Sequence, residues 1–223
     1  MSAQCAVRSA QCAVRSAQCA VIVFAKAPVA GFAKTRLMPA LGAGGAARLA
    51  ERMLVHAVQQ AVAADLGPVE LCAAPDTSHP VFARLAASLP VALETQGPGD
   101  LGARMDRAFT RHLVRTSVPA MAGALLIGTD APGLVAAVLR RAAAALSGHG
   151  AVFVPALDGG YALVGLRQPA PWLFDRMRWS TATVMADTRE RLADHGPSVV
   201  ELPPLADIDE PADLVHLPQG WVD

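Results

Sequence analysis

A mainly parallel α/β sheet with helices on both faces is the fold the sequence predicts, and three observations predict it. Short apolar runs alternate with amphipathic segments from about residue 20 onward, the pattern of repeated strand and helix units. Two of the runs, VIVF (21–24) and ALLIG (124–128), lack the polar alternation of a half-exposed strand, as strands covered on both faces do. The chain has 223 residues, of which 53% are hydrophobic, which suits one domain with a sizeable core.

Taken in order, VIVF is the first strand, within about Ala20 to Ala25. Residues 46–64 read as a helix with Leu49, Met53, Leu54, Ala57 and Val58 on one face, stopped by Gly67-Pro68. VELCA is a second strand. Pro80 opens a short helix to Leu89, and VALET is a weak third strand. Asp100 caps a helix carrying Leu101, Met105, Ala108, Phe109 and Leu113 on one face. After ALLIG, a helix from about Leu134 to Leu146 ends near Gly148. AVFVP and YALVGL are strands around PALDGG. Ser180 or Thr181 caps a further helix that ends at Gly196-Pro197, and SVVEL and an acidic helix complete the pattern.

The N-terminus has another character. SAQCAVR occupies residues 2–8 and 9–15, and SAQCAV follows at 16–21. Two and a half copies fall short of a coiled coil, and the period is too short for a solenoid. Residues 1–19 are expected to be a duplicated, disordered extension, and 20–223 the domain. The extension lacks the apolar stretch of a signal peptide because Arg8 and Arg15 interrupt it. Three of the four cysteines are copies of one repeat position, so neither a disulfide framework nor a zinc site is expected, and a reducing, cytoplasmic setting is. No apolar run approaches a membrane span. Lys plus Arg balance Asp plus Glu at 19 each and aromatics are 4%, which argues against nucleic acid as a partner.

Sheets of this kind bind ligands beyond the carboxyl ends of their strands, so the loops after strands carry the functional reading. KAPVAGFAKTR follows the first strand. It is no Walker loop, since two residues separate Gly31 from Lys34 and Ala27 replaces a glycine. Gly42-Ala43-Gly44-Gly45 does not fit G-x-G-x-x-G either. What remains is a Pro-Gly loop carrying Lys26, Lys34 and Arg36, suited to a diphosphate or simply solvated. Asp130, in GTDAP after ALLIG, is a carboxylate at a strand end, suited to magnesium with phosphate oxygens or to capping the next helix. Thr129 beside it is grouped with the phosphate-binding residues. Asp158, in DGGY, sits where glycines let backbone approach a ligand or form a tight hairpin. Asp209, in ADIDEPADL, is a second metal candidate or an N-cap.

Together, FAKAPVAGFAKTRL, QGPGDLGARM, GTDAP, PALDGGYALVGL, WSTATVMADT and LADIDEPADL resemble a bacterial family of GT-A-like transferases. Its members are described as radical-SAM/selenodomain-associated transferases or arsenosugar-biosynthesis glycosyltransferases. The resemblance spans about residues 20–215. The K-T-R-L loop is similar to that of phospholactate guanylyltransferase, and D-x-D-x-P-x-D-L to the closing motif of sugar-nucleotide synthetases such as CMP-KDO synthetase. The resemblance implies a single-domain GT-A-like three-layer α/β/α sandwich, with Asp130 and Asp209 jointly holding Mg2+ or Mn2+ on nucleotide phosphates. Ala131 and Gly133 replace Cys and Asp common in relatives, and Leu157 replaces an acid, changes that spare Asp130 and Asp158.

The function expected is glycosyl transfer from a nucleotide-sugar donor to a small acceptor. Lys34 and Arg36 grip diphosphate, and Asp158 orients the acceptor or acts as general base. Nucleotidyl transfer from an NTP with release of pyrophosphate is the nearest alternative. A non-catalytic nucleotide-binding protein is the other.

Overall fold

The structure is a computed structural model that describes residues 18–114 and 122–221. The expectation for the N-terminal repeat falls almost wholly outside the described residues. Its last residue, Cys19, is buried and opens the first strand.

Seven strands form one sheet: β1 (Cys19–Lys26), β2 (Val69–Ala74), β3 (Val91–Thr95), β4 (Gly123–Ile127), β5 (Ala151–Pro155), β6 (Tyr161–Leu166) and β7 (Val199–Glu201). Their order across the sheet is β3-β2-β1-β4-β6-β5-β7. All pairings are parallel except those of β6 with β4 and β5. β1 lies in the interior of the sheet, where Val21 pairs with Val69 on one side and Leu125 on the other. This position explains its apolar composition, because a central parallel strand is covered on both faces.

The helices are α1 (Met38–Ala63), α2 (Pro80–Ser88), α3 (Leu101–Leu113), α4 (Ala136–Leu146), α5 (Pro171–Phe174) and α6 (Val184–His195). Strand alternation sorts the core into two layers. From β1, Val21, Val23 and Ala25 pack with Leu54 and Val58 of α1, Phe82 of α2 and Leu139 of α4. Ala20, Ile22 and Phe24 point the other way, toward Phe109 of α3, Phe174 of α5 and Met185 of α6. The result is the three-layer α/β/α sandwich the sequence predicted. The rings of Phe109 and Phe174 stack at 5.9 Å, joining α3 to α5.

Several local expectations need correcting. Helix α1 starts at Met38, with Pro39 in its first turn, and Gly42 (φ 68, ψ 165) breaks it before the Ala46 segment. That conformation is open to glycine and strained for other residues, so the glycine cluster kinks a helix that begins earlier. Leu101 is exposed, although Met105, Ala108 and Phe109 of the same helix are buried. Helix α6 is entered through Thr183, not Ser180 or Thr181. Ser180 adopts φ 60, and the Thr181 hydroxyl donates to the Arg178 carbonyl, so neither is free to cap. The terminal acidic segment is a 3-10 helix, Pro211–His216, capped by Glu210 and Asp213.

A buried polar cluster sits near the start of β2. Glu70 accepts hydrogen bonds from Arg111 and the Cys72 thiol (2.9 Å) through one oxygen and contacts His112 (3.0 Å) through the other.

Candidate functional site

Three loops at the carboxyl end of the sheet are clamped together by one residue, Ile208. The alternation Asp207-Ile208-Asp209 turns Ile208 inward, where it is fully buried against Leu37, Ala46, Leu49 and Met53. Its N-H donates to the Asp130 carbonyl (2.8 Å), and its carbonyl accepts from the Lys34 ammonium (2.6 Å). A single apolar side chain thus fixes the spacing of the K-T-R-L, GTDAP and ADIDEP loops.

This clamp brings four of the sequence-predicted residues into one ionic group. The Lys34 ammonium lies 2.6 Å from Asp130 Oδ1 and 3.8 Å from Asp209 Oδ1. Arg36 donates to Asp209 Oδ2 (2.7 Å). Lys34 adopts the left-handed conformation (φ 49), unusual for a residue with a side chain and of the kind that gathers at functional sites. Its side chain is only 8% exposed, against 55% for Asp130 and 42% for Asp209. The cation therefore fills the inner side of the pair, and the carboxylates face solvent. The sequence reading gave the cations to phosphate and the acids to metal. In the structure they bond to each other.

Thr129 links the end of β4 to Asp130 and is half-buried. Asp158 is exposed, and its Oδ1 accepts from the Gly160 N-H (2.8 Å), closing the turn between β5 and β6. Gly159 in that turn has φ 93, and a Cβ there would lie 2.1 Å from the Ala182 carbonyl. The DGG turn is consequently pressed against the WSTAT segment, which is also held by the Met185 N-H on the Gly159 carbonyl (2.8 Å). Tyr161 opens β6 beside it, edge-on to Trp179 at 6.4 Å. Burial pushes its hydroxyl up from an ordinary value already well above neutral.

Lys26 stands apart from the Lys34 group. It lines a neighbouring cavity of about 430 Å³ with Val29, Phe32, Pro75, Gly97 and Arg104. Phe32 is 82% exposed, which leaves a flat apolar face beside two cations, a surface suited to an aromatic ring carrying anionic groups. A larger cleft, about 640 Å³, lies along the outer flank of α1 beside Trp221. It contains none of the strand-end residues, and chemistry rather than volume directs attention to the smaller cavity.

Asp207 is the residue the sequence reading missed. Burial pushes its carboxyl up, and the negative charges of Asp158, Asp213 and Asp130 raise it further. The D-I-D alternation was the available signal: with Ile208 turned inward, both acids turn toward the site. Among the described residues no group of three or more His, Cys, Asp or Glu is placed to hold a metal ion. Magnesium needs only one or two carboxylates when phosphate and water complete its shell. Asp130 and Asp209 supply two carboxylates, and the Lys34 ammonium lies within 4 Å of both.

Among the described residues no helix is long and apolar enough to cross a membrane. Comparison with known proteins supplies a family and a fold. The profile of the bacterial family described as "Uncharacterized protein conserved in bacteria (DUF2064)" matches residues 57–181. No curated protein matches the chain. Among solved structures, a Desulfovibrio desulfuricans G20 protein provisionally assigned as a nucleotide-diphospho-sugar transferase is 29% identical, with a TM-score of 0.78 over 87% of this chain and 84% of that one. A 4-diphosphocytidyl-2C-methyl-D-erythritol synthase from Anaerococcus prevotii shares the fold at 10% identity, with a TM-score of 0.59 over 90% and 94% of the two chains. Rv0371c from Mycobacterium tuberculosis H37Rv, solved with manganese, does so at 16% identity, with a TM-score of 0.50 over 91% and 99%. The fold is that of nucleotide-diphospho-sugar transferases, in agreement with the GT-A-like resemblance of the motifs.

Proposed function

We propose, for a chain that belongs to the bacterial family DUF2064, a nucleotide-dependent glycosyl transfer in the cytoplasm, from a nucleotide-sugar donor to a small acceptor. The domain is taken to begin at about residue 20, with the repeat before it as an extension. The observation that carries the reading is the joining of Lys34, Arg36, Asp130 and Asp209 at the carboxyl ends of the strands, with the loop that bears Lys34 also lining a cavity of cationic and apolar walls. A ligand with a diphosphate and an aromatic base matches both parts.

Asp130 and Asp209 would hold the divalent ion, Mg2+ or the Mn2+ seen with the mycobacterial relative. When bound, the ion supplies charge neutralisation on the diphosphate. Lys34 and Arg36 bind the same oxygens and stabilise the leaving diphosphate as its charge grows. Lys26 and Arg104 meet the nucleotide from the cavity side, and Phe32 offers its ring face to the base. Thr129, beside Asp130 in the GTDAP loop, orients phosphate. Asp158, exposed beside the DGG turn, accepts the acceptor's proton or orients its hydroxyl. Its second oxygen remains for that role, because Oδ1 accepts from Gly160.

Nucleotidyl transfer is a second reading, favoured by the placement of the K-T-R-L cations on both acids, an arrangement that also suits a departing pyrophosphate. The two are separated by incubating the protein with panels of NTPs and NDP-sugars. Glycosyl transfer releases NDP, and nucleotidyl transfer releases pyrophosphate. Binding without turnover in both panels would leave a nucleotide-binding protein. Calorimetry with Asp130→Ala tests the site: unchanged cation-dependent donor binding removes Asp130 from it.

A further inference from the structure

We propose that Lys34 is a resident cation of the Asp130–Asp209 pair, one that yields the acids to a divalent ion only as it turns to the ligand's phosphate. The proposal rests on the nucleotide-transferase reading above and adds a coupling to it: ion and phosphate enter together because one ammonium stands in the place of the first and is the partner of the second.

The geometry gives three reasons. The ammonium contacts the inner oxygens of both acids, at 2.6 and 3.8 Å, so an incoming ion that used both acids would meet a positive charge already on them. Like charges sharing two carboxylates repel, and the repulsion is strong where one of them is shielded from water, as Lys34 is at 8% exposure. Asp209 would not drift away on displacement, since Arg36 holds its other oxygen at 2.7 Å and its own N-H donates to Asp213 (2.9 Å). Lys34 is the partner that the two acids share.

The third reason is mechanical. Lys34 sits at the end of a turn whose outer part, Gly31 and Phe32, projects into solvent. Gly31 has φ 86 with no atom within 4 Å of where a Cβ would lie, and Phe32 is 82% exposed. The outer part of the turn is open to solvent, so the turn can move with the lysine, whose own side chain is 8% exposed. The Ile208 carbonyl, its third partner, stays anchored by the buried Ile208 side chain and can take a water in exchange.

Removing the ammonium should therefore free the acids. Mn2+ binding to the full chain is measured by electron paramagnetic resonance without nucleotide, for the wild type, Lys34→Met, Lys34→Gln, Asp130→Asn and the Lys34→Met/Asp130→Asn double variant. Lys34→Met is expected to bind Mn2+ at least tenfold more tightly than the wild type, and the double variant to lose that gain. GDP, CDP, UDP and ADP then serve as probes at equal free Mn2+. A diphosphate that binds should raise Mn2+ affinity in the wild type by more than it does in Lys34→Met.

An equal or weaker Mn2+ affinity in folded Lys34→Met overturns the proposal. Lys34→Gln, which keeps a donor for the Ile208 carbonyl, decides the matter if the methionine variant does not fold. Two failures are distinguishable. If Asp130→Asn abolishes Mn2+ binding but Lys34 variants change nothing, only the coupling falls. If Mn2+ binding ignores Asp130 altogether, the acid pair is no metal site and the broader reading falls with the coupling.

Discussion

Two clusters of acids and cations sit on the same sheet, at opposite ends of its strands. At the start of β2, Glu70 is 7% exposed and both its oxygens are engaged, by Arg111, His112 and Cys72. At the ends of β1 and β4, Asp130 and Asp209 are about half exposed and face outward from the buried Lys34 ammonium they share. In the first cluster the acid is inside and its partners reach in. In the second the cation is inside and the acids reach out. The difference teaches what each is suited to: a buried acid with every oxygen used fixes α3 on the sheet, whereas exposed acids suit the exchange proposed above.

The largest expected effect tests the inner cluster. Glu70→Ala leaves Arg111 and His112 without their shared acceptor, and breaking a buried pair in this way costs about 3–5 kcal/mol. Urea denaturation should show that loss, at the low end because Arg111 is 29% exposed and reaches water. A loss below about 1 kcal/mol would make the cluster no different in kind from a surface pair.

Next in size is its response to acid. Burial opposes ionisation of Glu70, but the hydrogen bonds from His112, Arg111 and Cys72 outweigh it and hold the carboxyl at about 2, below its ordinary 4.5. A carboxyl lowered in the folded state contributes stability that is complete above the unfolded value. It is lost as pH falls from about 4.5 toward 2. The contribution is on the order of 3 kcal/mol. Stability measured against pH should fall across this window in the wild type and more shallowly in Glu70→Gln.

Asp130→Asn examines the outer cluster, and here folding and binding should part. Lys34 keeps the Ile208 carbonyl and has Asp209 within 3.8 Å, so the stability change is about 1 kcal/mol, near that of exposed pairs. Cation-dependent nucleotide binding should nonetheless disappear in calorimetry. A large stability loss with binding intact would reverse the roles of the two clusters.

The same contrast explains what could be read from the sequence. The central strands were legible because burial on both faces leaves no polar alternation in VIVF and ALLIG. Asp100 was legible as a cap because its job is local: its side chain accepts from Ala103, three residues on. Lys34, Arg36, Asp130 and Asp209 were found as strand-end charges, but their pairing depends on Ile208, about 170 residues beyond the lysine and a residue that carries no chemistry itself. Asp207 was overlooked because its neighbours are set by that same inward turn. Glu70 was hidden for a related reason, since its partners Arg111 and His112 lie about 40 residues away on α3. Local physics is written in short windows, whereas charge pairing across the sheet is not.

The smallest expected effect supplies a baseline for both clusters. Arg189 on α6 donates from Nε and Nη2 to the two oxygens of Glu201 on β7, each at 2.8 Å. By geometry this is the best-formed ion pair of the three regions, yet its side chains are 52% and 31% exposed. Water and salt screen such a pair, and side-chain entropy opposes it. Arg189→Ala should therefore cost no more than about 1 kcal/mol, and the cost should shrink further in high salt, as urea denaturation at low and high ionic strength would show. If this exposed pair instead proved as costly as Glu70→Ala, geometry rather than burial would govern these interactions. The distinction between a fixed inner cluster and an exchangeable outer one would then lose its physical basis.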